Sequence, residues 1–265
     1  MDAESYTHGH HESVLRSHRW RTAENSAGFL LPHLKPGMTI LDVGSGPGTI
    51  TIDLVQYVAP GRVVGVDASP DVVAQAQAAA AAVGSPAEFL VGDAYALDFA
   101  DGSFDVVYAH QILHHLARPV HALREMRRVA GPDGLVAVRE TDYAAQVIYP
   151  RTPGLEAWAA LYQRVHRSHG GEPDAGRRLK AWAREAGFPQ VEAAGSSWYF
   201  SSDEDRAFWG GMWADRTLQS AFAGDALGLG ATQEELQDIS DAWAAWADDP
   251  DGWLMVTAGE ILARG

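Results

Sequence analysis

The stretch Thr39-Ile40-Leu41-Asp42-Val43-Gly44-Ser45-Gly46-Pro47-Gly48-Thr49 constrains this chain more than any other. Ile40, Leu41 and Val43 suit a short strand covered on both faces. Gly44, Gly46 and Gly48 remove side chains where the backbone must turn sharply and a ligand must come close. Ile50-Thr51-Ile52-Asp53-Leu54-Val55 then predicts a helix whose first N–H groups face the loop. A strand, a glycine turn and a helix N-terminus in that order make a binding site for a nucleotide-like ligand.

The pattern repeats along the chain. Arg62-Val63-Val64-Gly65-Val66-Asp67 reads as a second strand, and Ser69-Pro70 as the N-cap and first residue of a helix that holds the alanine run at 78–82. Residues 88–91, 104–109 and 134–138 read as further strands, and 120–129 as a helix. Later segments predict a helix at 177–186, a strand at 191–200 and a last strand near 252–262, while 10–34 reads as an opening helix. Strands alternating with helices give a doubly wound, mostly parallel α/β sheet with right-handed crossovers, here expected to have seven strands. Residues 141–172 and 202–250 interrupt the alternation with helical patterns. Eight of the nine tryptophans follow residue 150, and Trp158, Trp209, Trp213, Trp243 and Trp246 fall among polar residues of these insertions. Segments that leave a strand at its carboxyl end lie over the ligand crevice, which makes both insertions, with residues 1–35, a candidate lid. The bland alternative is that the tryptophans are ordinary core of amphipathic helices. The whole chain, 1–265, is expected to be one domain around a ligand-binding core at 36–140.

A net charge of −15 argues against a nucleic-acid partner. The absence of cysteine removes disulfides, zinc–thiolate sites and thiol nucleophiles. The first residues carry no leader pattern and no window is apolar enough to span a membrane; the expectation is a soluble cytoplasmic protein, with oligomeric state left open. His8-Gly9-His10-His11 has no spacing that fixes a metal, and no metal site is expected.

Two acidic residues narrow the ligand. Asp67 ends the second strand, where a carboxylate accepts both ribose hydroxyls of an adenosine. Asp93, in Val91-Gly92-Asp93-Ala94, is placed to read the adenine amine. Thr49 stands where a dinucleotide fingerprint wants glycine or alanine, and no Gly-Lys-Ser/Thr P-loop is present.

These residues carry a resemblance. Leu41-Asp42-Val43-Gly44-Ser45-Gly46-Pro47-Gly48 resembles the first motif of class I S-adenosylmethionine-dependent methyltransferases, Val64-Gly65-Val66-Asp67-Ala68-Ser69 the second and Gly92-Asp93-Ala94 the third. Leu97-Asp98-Phe99-Ala100-Asp101-Gly102-Ser103-Phe104-Asp105-Val106-Val107 and Val129-Ala130-Gly131-Pro132-Asp133-Gly134-Leu135 resemble the runs before the family's fourth and fifth strands. The match covers about 36–140 and is closest to the ubiquinone/menaquinone-biosynthesis branch. It departs at Ser45, where many members have cysteine, and at Asp133 in the glycine turn. The Asn/Asp-Pro-Pro-Tyr/Phe motif of amino-methylating enzymes is absent; Tyr108-Ala109-His110-Gln111 stands there.

The resemblance implies a Rossmann-like methyltransferase fold, S-adenosylmethionine as cofactor and S-adenosylhomocysteine as product. It assigns cofactor contacts to Asp42, Gly44, Ser45, Gly46, Gly48, Thr49, Asp67, Ala68, Asp93, Ala94 and His110, with Tyr6 covering the sulfonium through its aromatic face. Asp42 is expected to bond its own loop or, through water, the cofactor amine. Apart from the resemblance, Arg16, Arg19, Trp20 and Arg21 form a small basic–aromatic cluster, to be read first as a solvated helix face and otherwise as a site for a carboxylate of substrate or cofactor. No catalytic residue is fixed: His110, His114, His115 and Asp142 are candidates for a base, since histidine titrates near neutrality, and Tyr143 for substrate contact. Methyl transfer is an in-line displacement that asks chiefly for orientation and exclusion of water. The expected acceptor is a small apolar or aromatic metabolite, methylated on oxygen or carbon. The alternatives are a nicotinamide-dependent Rossmann oxidoreductase, which Thr49 and Asp93 disfavour, and a non-methylating enzyme or binding protein that keeps the cofactor.

Overall fold

The computed structural model describes residues 20–265. Its central sheet runs β3-β2-β1-β4-β5-β8, with β6 and β7 both paired to β8. The strands are β1 (Ile40–Val43), β2 (Val63–Asp67), β3 (Glu88–Val91), β4 (Val106–His110), β5 (Leu135–Thr141), β6 (Val147–Tyr149), β7 (Gln190–Phe200) and β8 (Trp253–Arg264). The first five are parallel, and β8 is antiparallel to β5, β6 and β7. β1 is buried along its whole length, as an apolar run covered on both faces must be. Eight strands stand where seven were expected. The extra one, β6, is a short piece inside the 141–172 insertion that continues the line of β5 along β8.

The helices are α1 (Ala23–Ala27), α2 (Thr49–Val58), α3 (Pro70–Ala82), α4 (Pro119–Ala130), α5 (Pro153–Ser168), α6 (Leu179–Glu185), α7 (Asp203–Gln219), α8 (Ala221–Gly228) and α9 (Gln233–Asp248). Strand alternation sorts the core onto two faces. Ile40, Val63, Val106, Tyr108 and Ala137 pack against α1 and α2; Leu41, Val64, Val107, Val136 and Val138 pack against α4 and α6. The crossovers thus change face between β1 and β4, and that switch opens a crevice at the carboxyl ends of the strands.

The described part of the opening segment is not one helix. Thr22 and Asn25 form a capping box that starts α1 at Ala23, and a 3-10 turn at Leu31–His33 follows it. Ser69 caps α3 with Pro70 first in the helix, as the sequence implies. Capping boxes at Ser202 and Thr232 start α7 and α9 in the second insertion. Trp158, Trp209, Trp213, Trp243 and Trp246 are all buried in a third core between these helices and the ends of β7 and β8. Trp158 lies edge-on to Trp213 at 4.7 Å and to Trp243 at 4.9 Å. These tryptophans hold the inserted helices to one another.

Candidate functional site

The loop after β1 has the geometry its glycines require. Gly44, Gly46 and Gly48 sit at φ +75°, +55° and +85°, where a side chain is strained. A Cβ on Gly48 would lie 2.6 Å from the Phe89 ring, and one on Gly44 would lie 2.6 Å from Ile112 Cδ1. The loop is tied to β2: the Gly44 and Ser45 amides donate to the Val66 carbonyl at 2.8 and 2.9 Å. Gly46 N–H donates to Asp67 Oδ2 at 3.1 Å and Ser69 N–H to Asp67 Oδ1 at 3.0 Å. Asp67 is half-buried at the end of β2, held by two amides with lone pairs left for a ligand. Asp93 is exposed, fixed by the Tyr95 amide at 2.8 Å, beside buried Ala94.

Asp42 is buried, and the Thr51 hydroxyl of α2 donates to its Oδ2 at 2.5 Å. Among the described residues it makes no bond to its own loop, because Asp42 points from β1 towards α2. Burial pushes its carboxyl up to about 7; the Thr51 bond opposes the shift and the Asp67 charge adds to it.

The carboxyl ends of β4 and β5 carry a second group of side chains. His110 ends β4, buried, in register with Arg139. Arg139 is 1% exposed, with its guanidinium 4.3 Å from the centre of the Trp198 ring. Its Nε donates to Ser196 Oγ at 3.0 Å and lies 3.3 Å from Glu260. Burial is the first cause of its lowered pKa. Gln111 takes φ +52°, an uncommon value for a side-chain-bearing residue. Its amide links Arg21, which donates to Oε1 at 2.5 Å, with the Thr141 hydroxyl, which accepts from Nε2. Strained backbone of this kind gathers at ligand sites.

The remaining base candidates are engaged elsewhere. His114 and His115 form a 3-10 turn after β4. Glu140, fully buried on β5, accepts the Ile112 and Leu113 amides at 2.9 and 2.6 Å, and its Oε2 lies 2.5 Å from His114 Nδ1. His166 of α5 stacks on His114 at 5.1 Å. Burial, then the neighbouring His114, depresses its pKa to about 3, so it is neutral. Asp142 is buried and accepts from Arg177 Nε and Nη2 at 2.6 Å each, which makes it an anchor for the segment before α6, not a ready base. Tyr143 packs on Tyr162 at 4.2 Å. Arg139, Glu140 and Thr141, expected beyond the fifth strand, are its last residues. Tyr6, His8, His10, His11, Arg16 and Arg19 lie outside the described residues. Sequence reasoning missed Thr51, Trp198 and His166, none of which has a local motif; the signal for Gln111 was its position directly after β4.

A cavity of about 390 Å³ lined by Met38, Phe104, Val106 and Leu135 lies at the amino ends of β4 and β5. Ligands of open α/β sheets bind at the other end, so it is remote from this site.

The glycine loop, the open end of α2 and the carboxylates of Asp67 and Asp93 along one sheet edge define a Rossmann-like protein built to hold an adenosine-bearing ligand. The loop at Gly44, Gly46 and Gly48 offers backbone without side chains beside the half-buried Asp67 carboxylate; these residues fit S-adenosylmethionine. Residues 41–138 match a methyltransferase domain. An uncharacterised methyltransferase of Schizosaccharomyces pombe is 33% identical over 98% of this chain and 96% of its own length. A demethylmenaquinone methyltransferase of Lactococcus lactis is 35% identical over 59% of this chain and 68% of its own length. The YcgJ protein of Bacillus subtilis shares the fold, with a TM-score of 0.60 at 22% identity over 91% of this chain and 98% of that one. The chain belongs to the S-adenosylmethionine-dependent methyltransferases. When bound, that cofactor supplies an electrophilic methyl on a sulfonium. Among the described residues no helix is long and apolar enough to cross a membrane.

Proposed function

We propose that this enzyme methylates a small apolar or aromatic metabolite, on oxygen or carbon. The observation that carries this reading is the wall of the crevice beyond the glycine loop. Ile112 backs Gly44. Past His110 stand Trp198 at 5.6 Å and then Trp20, edge-on to Trp198 at 5.1 Å, backed by Phe200 and Phe208. Apolar and aromatic walls with a few placed polar groups suit such an acceptor. The buried Arg139–Glu260 pair and the Gln111 amide supply those polar groups.

Residues 36–140 hold the donor in this reading. Residues 20–35, 141–172 and 202–250 form a cap of the same domain that excludes water and shapes the acceptor space. Asp67 holds the ribose, Asp93 and Ala94 the adenine, and the glycine loop the methionine part. The protein's contribution is orientation: the acceptor atom is held in line behind the methyl, close enough to react. An acidic phenol or enol needs no strong base, in keeping with Glu140 and Arg177 occupying His114 and Asp142. The acceptor is a small molecule; the net charge of −15 opposes a nucleic acid. The test is S-adenosylhomocysteine release from the purified chain with a panel of phenols, quinols and aliphatic amines. Turnover is expected with the aromatic hydroxyl compounds. Tight cofactor binding with no turnover on any acceptor, or turnover confined to the amines, would overturn the reading.

A further inference from the structure

The 3-10 turn after β4 and helix α5 bring three histidines together. His114, His115 and His166 each turn a ring nitrogen into one small volume, within 4.8 Å of one another. His114 and His166 are buried and His115 half-buried. His115 lies 3.8 Å from His114 and 5.0 Å from His166, ring centre to ring centre.

Two of these rings are held as metal-binding imidazoles are held. His114 donates Nδ1–H to the Glu140 carboxylate at 2.5 Å. His166 donates Nε2–H to the His114 carbonyl at 2.7 Å. A carboxylate or carbonyl that takes one ring N–H fixes the tautomer and leaves a lone pair on the other nitrogen for a metal. In His166 that nitrogen is Nδ1, which is buried and has no hydrogen-bond partner, in a residue with no exposed surface. An unpartnered buried polar atom is destabilising, and a ligand would remove that cost. The loop before α6 locks the ring in place. A Cβ on Gly171 would lie 2.8 Å from His166 Cδ2 and 2.9 Å from Nε2, so only glycine lets the chain lie on this imidazole.

We propose that His114, His115 and His166 form a binding site for a divalent d-block cation such as zinc, which ties α5 to the turn after β4. Imidazole nitrogens suit zinc, copper, nickel and iron, whereas magnesium and calcium want oxygen. Zinc–nitrogen bonds of about 2.0–2.1 Å set tetrahedral ligands about 3.4 Å apart. The nitrogens must therefore draw in by at most about 1.4 Å, a matter of small side-chain rotations. Three protein ligands leave a fourth position for water. The proposal departs from the sequence expectation of no metal site. The sequence hides it because His166 lies 52 residues beyond His114.

The site can be read without any methyl acceptor, so its failure and that of the proposed methyl transfer are distinguishable. The full chain, stripped with a chelator, is titrated with cobalt(II) and followed by its visible d–d absorption, then with zinc. A single ion per chain is expected, with tetrahedral-type bands that zinc displaces and a rise in Tm with zinc concentration. His166→Ala and His115→Ala should each abolish the bands. Glu140→Gln, which keeps an acceptor but loses the charge, should weaken cobalt binding about 10–100-fold. A variant with His8, His10 and His11 all changed to alanine should retain the bands. Circular dichroism checks that His166→Ala folds; His115→Ala and the wild-type stoichiometry decide the matter if it does not. Absence of tetrahedral-type bands in the wild type, or bands that survive His115→Ala and vanish in the triple variant, would overturn the proposal.

Discussion

Replacing Asp42 by asparagine should stabilise the ligand-free enzyme at alkaline pH and weaken its hold on the donor. Asp42 is 2% exposed and its carboxyl titrates at about 7 in the fold, against 3.8 for the exposed group. Because the folded value is raised, the folded chain binds this proton more tightly than the unfolded chain does. The cost of ionisation is therefore absent below about pH 3.8, grows as the pH rises towards 7, and is complete above it. At about 1.36 kcal/mol per unit, a gap of about 3 units sets a ceiling of about 4 kcal/mol. Relaxation and water entry around the ionised group reduce the measurable gain to about 1–3 kcal/mol. Asparagine has the same shape, still accepts the Thr51 hydroxyl and cannot ionise. Urea denaturation at about pH 8 should show that gain, and at about pH 4 the two proteins should converge. In calorimetric titrations with S-adenosylhomocysteine, wild-type affinity should rise from about pH 6 to about pH 8, as the charge of the ionised carboxylate attracts the ligand's ammonium group through the site; the variant should lack that rise. A variant that is less stable than wild type at about pH 8, or stabilised equally at both pH values, would refute the reasoning.

Gly48→Ala combines a left-handed φ of +85° with a Cβ 2.6 Å from Phe89; it should lose about 2–4 kcal/mol in urea denaturation and show no calorimetric donor binding. Asp67→Ala removes the partner of two amides and the proposed ribose acceptor; S-adenosylhomocysteine affinity should fall about 10–100-fold, and an unchanged Kd would count against the ribose role. Asp142→Ala strands Arg177, whose side chain is 55% exposed; solvent screening limits the loss to about 1–2 kcal/mol of stability, with donor affinity unchanged.

The donor side of this enzyme was legible because its constraints are local. Gly44, Gly46 and Gly48 answer a backbone demand within a few residues, and Ile40, Leu41 and Val43 show two-sided burial as an unbroken apolar run. Asp67 and Asp93 follow their strands directly. The acceptor side depends on contacts between distant segments. Arg139 stacks on Trp198 of β7, and Asp142 is claimed by Arg177; no spacing in the chain announces either pairing. The tryptophans of the two insertions were readable as a group, but their period fits a core as well as a lid, and the fold uses Trp158, Trp213 and Trp243 as core. β6 escaped notice because Val147–Tyr149 is too short for a period to show.

The central claim is a division of labour: the β1–β3 edge holds the donor, and an aromatic wall beyond His110 receives the acceptor. A crystal structure with S-adenosylhomocysteine tests it most directly. It should show both ribose hydroxyls on the Asp67 carboxylate, adenine beside Asp93 and Ala94, and the sulfur facing the space between His110 and Trp198. A ligand that leaves Asp67 untouched, or whose sulfur faces away from Trp198, would contradict the account.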